Sequence, residues 1–276
     1  VGKEERKKFQ REILVWYQGH KRDFLPWRVT EKRRVSPYRI FVSEIMLQQT
    51  GVTRVREFFP KFISRFPAIQ CLDHASLREI LGIWQGLGYN RRALHLKRAA
   101  AIIVRRYKGR IPSDVSDLKK LPGVGPYTAG AIACFAYNQA VAFLDTNIRK
   151  VLLFHFFPGR KKISDGELLR IAEKVLFREN PRLWHYALMD YGSLMLRGVA
   201  GLAGRSAAYR KQSRFEGSRR YWRAAIIRRL SSAPLLPIVA LADGIPPVLR
   251  EQVFSSLIAD GLVEKTREGY YRIAQE

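Results

Sequence analysis

The sequence predicts an all-α body followed by a small C-terminal winged-helix-like (α+β) domain. Three observations carry this reading. Apolar residues recur mostly at helical spacing as far as about Leu196, and Gly, Pro, Asp and Ser punctuate the joins. The composition changes at Gly198, where a small, flexible run precedes Arg205 to Arg229, a stretch with nine Arg or Lys against one acid, Glu216. At the far end, Gly261-Leu-Val-Glu-Lys265 and Gly269-Tyr-Tyr-Arg-Ile273 read as the two strands of a wing around a polar turn. The expected organisation is a body over 1–197, a basic connector over 198–220 and the winged-helix-like domain over 221–276.

Taken in order, Lys8 to Gln18 forms a first helix with Phe9, Ile13, Leu14 and Tyr17 on one face. A loop marked by Asp23 and Pro26 runs through a basic stretch to Pro37. Tyr38 to Gln49 is a second helix, almost wholly apolar apart from Ser43, Glu44 and the closing glutamines. Thr53 to Phe66, Ser76 to Ile83, Arg91 to Tyr107, Val115 to Lys120, Tyr127 to Tyr137 and Asn147 to Phe156 continue the helical pattern. Val141 to Leu144 is a short apolar run that reads as extended, and Glu167 to Phe177 and Leu183 to Leu196 close the body. In the tail, helices are expected over Arg223 to Leu230, Leu236 to Ala242 and Pro247 to Ala259.

The 276 residues are 47% apolar, enough for a substantial core. Lys and Arg number 50 against 24 Asp and Glu, a formal charge of +26. A salt-adapted or thermophilic surface would carry many charges of both signs, and acids are scarce here, so the balance points to a polyanionic partner such as nucleic acid. Two cysteines, Cys71 and Cys134, lie in apolar stretches and are too few for a four-thiolate iron–sulfur cluster or zinc site. The five histidines show no paired metal-ligand spacing, so no metal or other cofactor is expected. Neither a signal peptide nor a membrane-spanning apolar run is seen, so the expected location is the cytoplasm, on the nucleoid, with no membrane partner.

Three motifs carry candidate chemistry. In Leu121-Pro-Gly-Val-Gly125, followed by Pro126-Tyr-Thr-Ala-Gly130, the glycines allow a tight turn whose amides approach a phosphate at the start of the next helix. This is the pattern of a helix-hairpin-helix, which grips the DNA backbone through Gly123, Val124, Gly125 and Thr128 without reading sequence, with a monovalent cation held on its carbonyls; the alternative is an ordinary interhelical turn. Asp145, in Leu144-Asp-Thr-Asn147, stands at a helix start, where Asp is a favoured cap worth about 1 kcal/mol. A carboxylate fixed there, with the dipole favouring its ionised form, is also what stabilises an oxocarbenium-like sugar when an N-glycosidic bond breaks. Glu44, inside the apolar second helix, needs a partner or a raised pKa; it is either a proton donor near neutral pH or the partner of a buried arginine such as Arg28.

At these motifs the chain from Phe24 to about Arg197 resembles the helix-hairpin-helix DNA glycosylases, and among them the adenine (MutY-type) branch. The resemblance rests on six ordered matches: Leu25-Pro-Trp-Arg28, Ser43 to Thr50, Trp84-Gln-Gly-Leu-Gly-Tyr89, Leu121 to Gly130, Leu144-Asp-Thr-Asn147 and Ala187-Leu-Met-Asp-Tyr-Gly192. It implies two helical lobes with a base pocket between them, a duplex partner with a damaged or mismatched base, and action as a monomer. It further implies that Glu44 protonates the leaving purine, Asp145 stabilises the sugar cation and Asn147 supports the site. Trp27, Arg28, Leu47 and Tyr127 fall at base-pocket positions, and Gln49 and Tyr89, with Gln48 beside them, at positions that wedge into the duplex. Bifunctional relatives carry lysine where this chain has Tyr127, so the resemblance implies a monofunctional enzyme without lyase activity.

Three departures qualify the resemblance. Leu196 stands where the family's cluster cysteines begin; the basic residues Arg205, Arg210, Lys211 and Arg214 then replace the cluster loop as backbone contacts. Tyr186 takes a pocket position where adenine-specific members carry Gln or Glu. The Nudix-like domain that reads the opposite base gives way to the winged-helix-like module. Adenine opposite 8-oxoguanine or guanine is the leading substrate, thymine or uracil opposite guanine the alternative, and a non-catalytic DNA-binding regulator the reading from another class.

Overall fold

A computed structural model of the chain describes residues 1–28, 35–210 and 213–275. Lys211, expected to contact DNA, lies outside the described residues. Among the described residues eleven helices precede the connector: α1 (Lys3–His20), α2 (Pro37–Leu47), α3 (Val52–Arg65), α4 (Ile69–His74), α5 (Leu77–Trp84), α6 (Arg91–Tyr107), α7 (Val115–Leu118), α8 (Pro126–Tyr137), α9 (Thr146–Phe156), α10 (Asp165–Lys174) and α11 (Pro181–Leu194). A short 3-10 turn at Ala203–Arg205 follows, then α12 (Arg219–Ser232), β1 (Leu236–Pro237), α13 (Ile238–Ala242), α14 (Pro247–Ala259), β2 (Val263–Lys265) and β3 (Tyr270–Ile273).

The helix starts are set by side chains that satisfy orphan amides. Ser76, Asp114, Asp145, Ser164 and Asn180 each accept from a backbone N–H of the following turn, and Ser164 and Glu167 form a full capping box. α6 ends at Lys108, whose left-handed backbone (φ 54°) turns into Gly109 (φ 74°).

The chain divides into two compact units. The first comprises residues 1–40, 113–119 and 124–212. In it α11 packs against α1 and α9, burying Phe9, Ile13, Ile148, Leu152, Trp184 and Leu188. The second comprises 41–112, 120–123 and 213–276. There α6 packs against α4 and α5 over a core that includes Phe62, Trp84, Leu94 and Ile103. The C-terminal module is part of this second unit: α12 lies on α5, and Arg78 Nε donates to the Ser231 carbonyl at 3.2 Å. Its sheet has the order β1-β3-β2, all antiparallel, with Leu236 opposite Tyr271 and Val263 opposite Ile273. Three helices with this small sheet make the winged-helix arrangement expected of the tail.

Several boundaries differ from expectation. α1 begins five residues early, at Lys3, because its first turns are polar and carry no apolar period; Glu4 and Glu5 favour that end through the helix dipole. α2 stops at Leu47 instead of Gln49, which adopts φ 55° and leaves the helix. α4, six residues long, is too short to show a period. Leu236 and Pro237, expected to open a helix, pair with β3 instead, and the helix starts only at Ile238. Val141 to Leu144, expected to be extended, is assigned to no strand among the described residues. No helix among the described residues is long and apolar enough to cross a membrane.

Candidate active site and nucleic-acid interface

In the first unit the site is built around the start of α9. Asp145 caps it, with Oδ1 accepting from Ile148 N at 2.6 Å and Oδ2 from Asn147 Nδ2 at 3.1 Å. Asn147 is held from the other side by α11, where a Cβ on Gly192 would fall 2.4 Å from the Asn147 carbonyl oxygen. Only glycine permits that approach. Arg149, one turn on, is spent on Asp165 through bonds of 2.9 and 2.7 Å, which lowers the Asp165 pKa. The helix start was expected to favour ionised Asp145, but burial outweighs the hydrogen bonds from Ile148 and Asn147 and raises its pKa above the usual aspartate range.

Tyr127 lies in the first turn of α8, half-buried, its ring edge-on to Phe143 at 5.7 Å. Arg28 meets the fully buried Asp190 with both terminal nitrogens, at 2.8 and 2.9 Å. Arg22 reaches the same carboxylate through Nε at 2.7 Å and its backbone N at 3.1 Å. Burial alone would lower the Arg28 pKa; the carboxylate more than reverses this. Both terminal nitrogens are therefore engaged by Asp190, which takes over the role considered for Glu44 as the partner of Arg28. The Arg28 guanidinium lies 4.1 Å over the Tyr186 ring, which stacks on Phe135 at 4.5 Å with planes 5° apart. Trp27 is buried beside this group in sequence.

In the second unit, Glu44 is 3% exposed on α2, flanked by Ser43, Ile45 and Met46 at 1% or less. Leu47 ends the helix, half-buried. Gln48 donates from Nε2 to the Gly123 carbonyl at 3.0 Å, so one hairpin carbonyl is already engaged. Gln49 is exposed, and both it and Tyr89 hold left-handed backbones, φ 55° and 49°. Gly123 (φ 76°) sits so close to α6 that a Cβ would meet His95 at 2.9 Å.

The remaining expected contacts divide. Val124 and Thr128 are buried, while Gly125 is exposed. Arg205 was expected to touch DNA, but its guanidinium is spent on the protein: Nε donates to the Arg160 carbonyl at 2.8 Å and an Nη to Leu153 at 3.3 Å. Among the described residues Arg210 bonds the neighbouring Ala207 and Tyr209 carbonyls, and Arg214 pairs with Glu216 at the surface.

A model of the HhH-GPD superfamily of base excision DNA repair proteins matches residues 42–176, the span that holds Glu44, the hairpin and Asp145. The adenine DNA glycosylase of Mycolicibacterium smegmatis is 35% identical over 287 residues, covering 96% of both chains. The chain belongs to the helix-hairpin-helix DNA glycosylases, in their adenine DNA glycosylase branch. It is a base excision DNA glycosylase. Coverage of 96% takes in most of the C-terminal module, so the mycobacterial glycosylase has a counterpart to it in length. A thermostable thymine-DNA glycosylase superposes with a TM-score of 0.63 at 28% identity, over 71% of this chain and 90% of its own. An endonuclease III from a DNA complex shares the fold, with a TM-score of 0.58 at 20% identity.

The donor set of this glycosylase does not fit the iron–sulfur cluster that its resemblance would imply. Its two cysteines are Cys71 on α4 and Cys134 on α8; Cys134 is buried, 3.4 Å from His185 Nδ1. Burial pushes His185 down to about 4, so that ring is neutral. After α11 the chain is fastened by apolar and backbone contacts: Leu196 and Leu202 are buried, Ile163 N donates to the Arg205 carbonyl at 3.0 Å, and Ala207 N to the Ile163 carbonyl at 2.9 Å.

Two positioning residues of the glycosylase escaped the sequence reading. Arg92 is a buried cation whose nitrogens reach the carbonyls of Ile45, Met46, Gln48, Leu87 and Gly88 at 2.6–3.2 Å and the Thr50 hydroxyl at 2.9 Å. It looked like one of many basic residues on an amphipathic helix. Asp190 carried the same signal as Glu44, an acid in an apolar helix, but no role was attached to it.

Proposed function

We propose that this glycosylase excises adenine mispaired with 8-oxoguanine or guanine in duplex DNA, as a monomer and without strand cleavage. The observation that carries the chemistry is Asp145. A carboxylate fixed at two points in a crowded, desolvating setting is a poor ion in the free enzyme and a strong stabiliser of a cation formed beside it. As the bond between C1′ and the base breaks, its electron pair leaves with the base. Glu44 supplies the proton that neutralises the departing purine, Asp145 stabilises the sugar cation, and water adds at C1′, giving up a proton that restores the Glu44 carboxyl. The adenine assignment is supported by the match, over 96% of this chain, to adenine DNA glycosylases. The absence of lyase chemistry is supported by Tyr127, which offers no amine for a Schiff base.

A second reading, removal of thymine or uracil opposite guanine, draws support from Tyr186, whose ring stacks between Phe135 and Arg28 where an amide or carboxylate would suit adenine. A panel of mispaired duplexes, scored before and after alkali, decides. The proposal expects adenine excision, strands intact until alkali, and loss of excision in Glu44→Gln. Preferential removal of a pyrimidine, with Glu44→Gln nearly as active as the parent, replaces it with the second reading. Strand cleavage without alkali refutes the monofunctional assignment.

A further inference from the structure

The second unit holds an open cavity of about 630 Å³ where the C-terminal module meets α6, the hairpin's Gly123 and the wedge residues Gln49 and Tyr89. Five arginines line it against one acid, Asp260. Four have partners. Arg92 serves backbone carbonyls, Arg223 bonds Ser256 and Asp260 at 2.5 Å each, and Arg220 donates to the Tyr89 hydroxyl at 2.7 Å. Arg91 stands 3.4 Å from Asp260 with its side chain 60% exposed. The Arg219 side chain is exposed and makes no hydrogen bond or ion pair with any described residue. The positive field is felt at His95 on the same wall: burial and the charges of Arg91 and Arg98 lower its pKa.

An anion is the ligand such a wall favours, and planar guanidinium groups suit the oxygens of a phosphate. Duplex DNA carries one charge per about 1.7 Å of its axis, so a side chain inserted into the stack has backbone phosphates within reach. Arg220 ties the wedge tyrosine to α12, and α12 carries the unoccupied arginine. α14, the helix that a groove-reading winged helix would insert, has Arg250 balanced by Glu251 and is not built for that role.

We propose that this cavity seats a phosphodiester of the duplex next to the inserted Tyr89, with Arg219 and Arg91 as its ligands. The inference rests on the glycosylase reading above and extends it by giving the C-terminal module a place on DNA. The test is equilibrium binding of the full chain to a short duplex with an adenine–guanine mispair, across a salt series. Arg219→Gln makes the slope of log K against log salt shallower by about 0.9, and the Arg91→Gln, Arg219→Gln double variant by about twice that. Thermal melting checks that both are folded; Arg219 leaves no partner stranded. Arg228→Gln, exposed and nine positions along the same helix, lies on the opposite face and leaves the slope and excision unchanged. An unchanged slope in the double variant, or an equal flattening by Arg228→Gln, overturns the seat while parental excision still upholds the glycosylase. A parent chain that neither binds nor excises overturns both.

Discussion

Arg92 Nη1 donates to the Gln48 carbonyl oxygen at 2.6 Å, and through that bond one buried cation on α6 fixes the turn that carries Gln48 and Gln49. Its other terminal nitrogen holds the Leu87 and Gly88 carbonyls at 3.2 and 2.9 Å, just before Tyr89. Both wedge segments therefore hang on one guanidinium. Each buried acceptor left unpaired costs roughly 1–3 kcal/mol. Arg92→Met is expected to lose on the order of 3 kcal/mol or more in urea unfolding, and Arg92→Lys somewhat less, because an ammonium cannot span both segments. A variant within about 1 kcal/mol of the parent would show that the two segments hold themselves.

Asp145 separates activity from stability. Asparagine keeps the cap, since Asn and Asp serve equally at that position. Excision by Asp145→Asn should fall by at least about 10²–10³-fold with duplex binding retained. The fold should gain. The folded-state pKa is raised, so the native protein holds its proton more tightly than the unfolded chain. The ionised carboxylate thus costs stability at neutral pH, and that cost vanishes as the pH falls toward the ordinary value of 3.8. The variant should melt a few degrees above the parent at pH 7.5, about 2–4 °C for each kcal/mol in a chain of this size, with the gap closing in acid. A gap that widens in acid contradicts the raised pKa.

The helical body and the winged tail were legible because both write apolar periods into the sequence, as α6 does over Arg91–Tyr107. The hairpin and Asp145 were legible because glycine and capping chemistry are local. What escaped was set by distance along the chain. Arg92 bonds residues 42 to 47 positions away, and Asp190 bonds Arg28 over 162. The carbonyl bonds of Arg205 were hidden for the same reason: a charge in a basic run reads as solvent-facing, and only the folded chain brings it to the carbonyls of Leu153 and Arg160. The balance at Asp145 was also hidden, because caps are visible in sequence and desolvation is not.

Asp190 neutralises Arg22 and Arg28 where its own side chain has no exposure and Arg28 has 4%. Removing one partner of a buried pair strands a charge, at about 3–5 kcal/mol. Asp190→Asn is expected to lose that much in denaturant unfolding. It should also loosen Arg28 over Tyr186, so that excision by the remaining folded protein weakens. Arg28→Lys keeps the charge but neither the two-point bond nor the flat stack, and should fall between parent and Asp190→Asn. Full stability in Asp190→Asn would mean that solvent reaches the pair.

Arg205 and Arg214 belong to one basic run and should behave oppositely. Arg205 is half-buried and bonds carbonyls on two segments of the first unit, so Arg205→Gln should cost about 1–2 kcal/mol by thermal or urea unfolding. Its charge is already spent, and the salt slope of duplex binding should stay as in the parent. Arg214 and its partner Glu216 are both highly exposed, so Arg214→Gln should leave the melting temperature alone. If the connector lies along the DNA backbone, the same substitution makes the salt slope shallower by about 0.9. Opposite results, with Arg205 moving the slope and Arg214 the melting temperature, would mean that Arg205 abandons its carbonyls for phosphate when DNA binds.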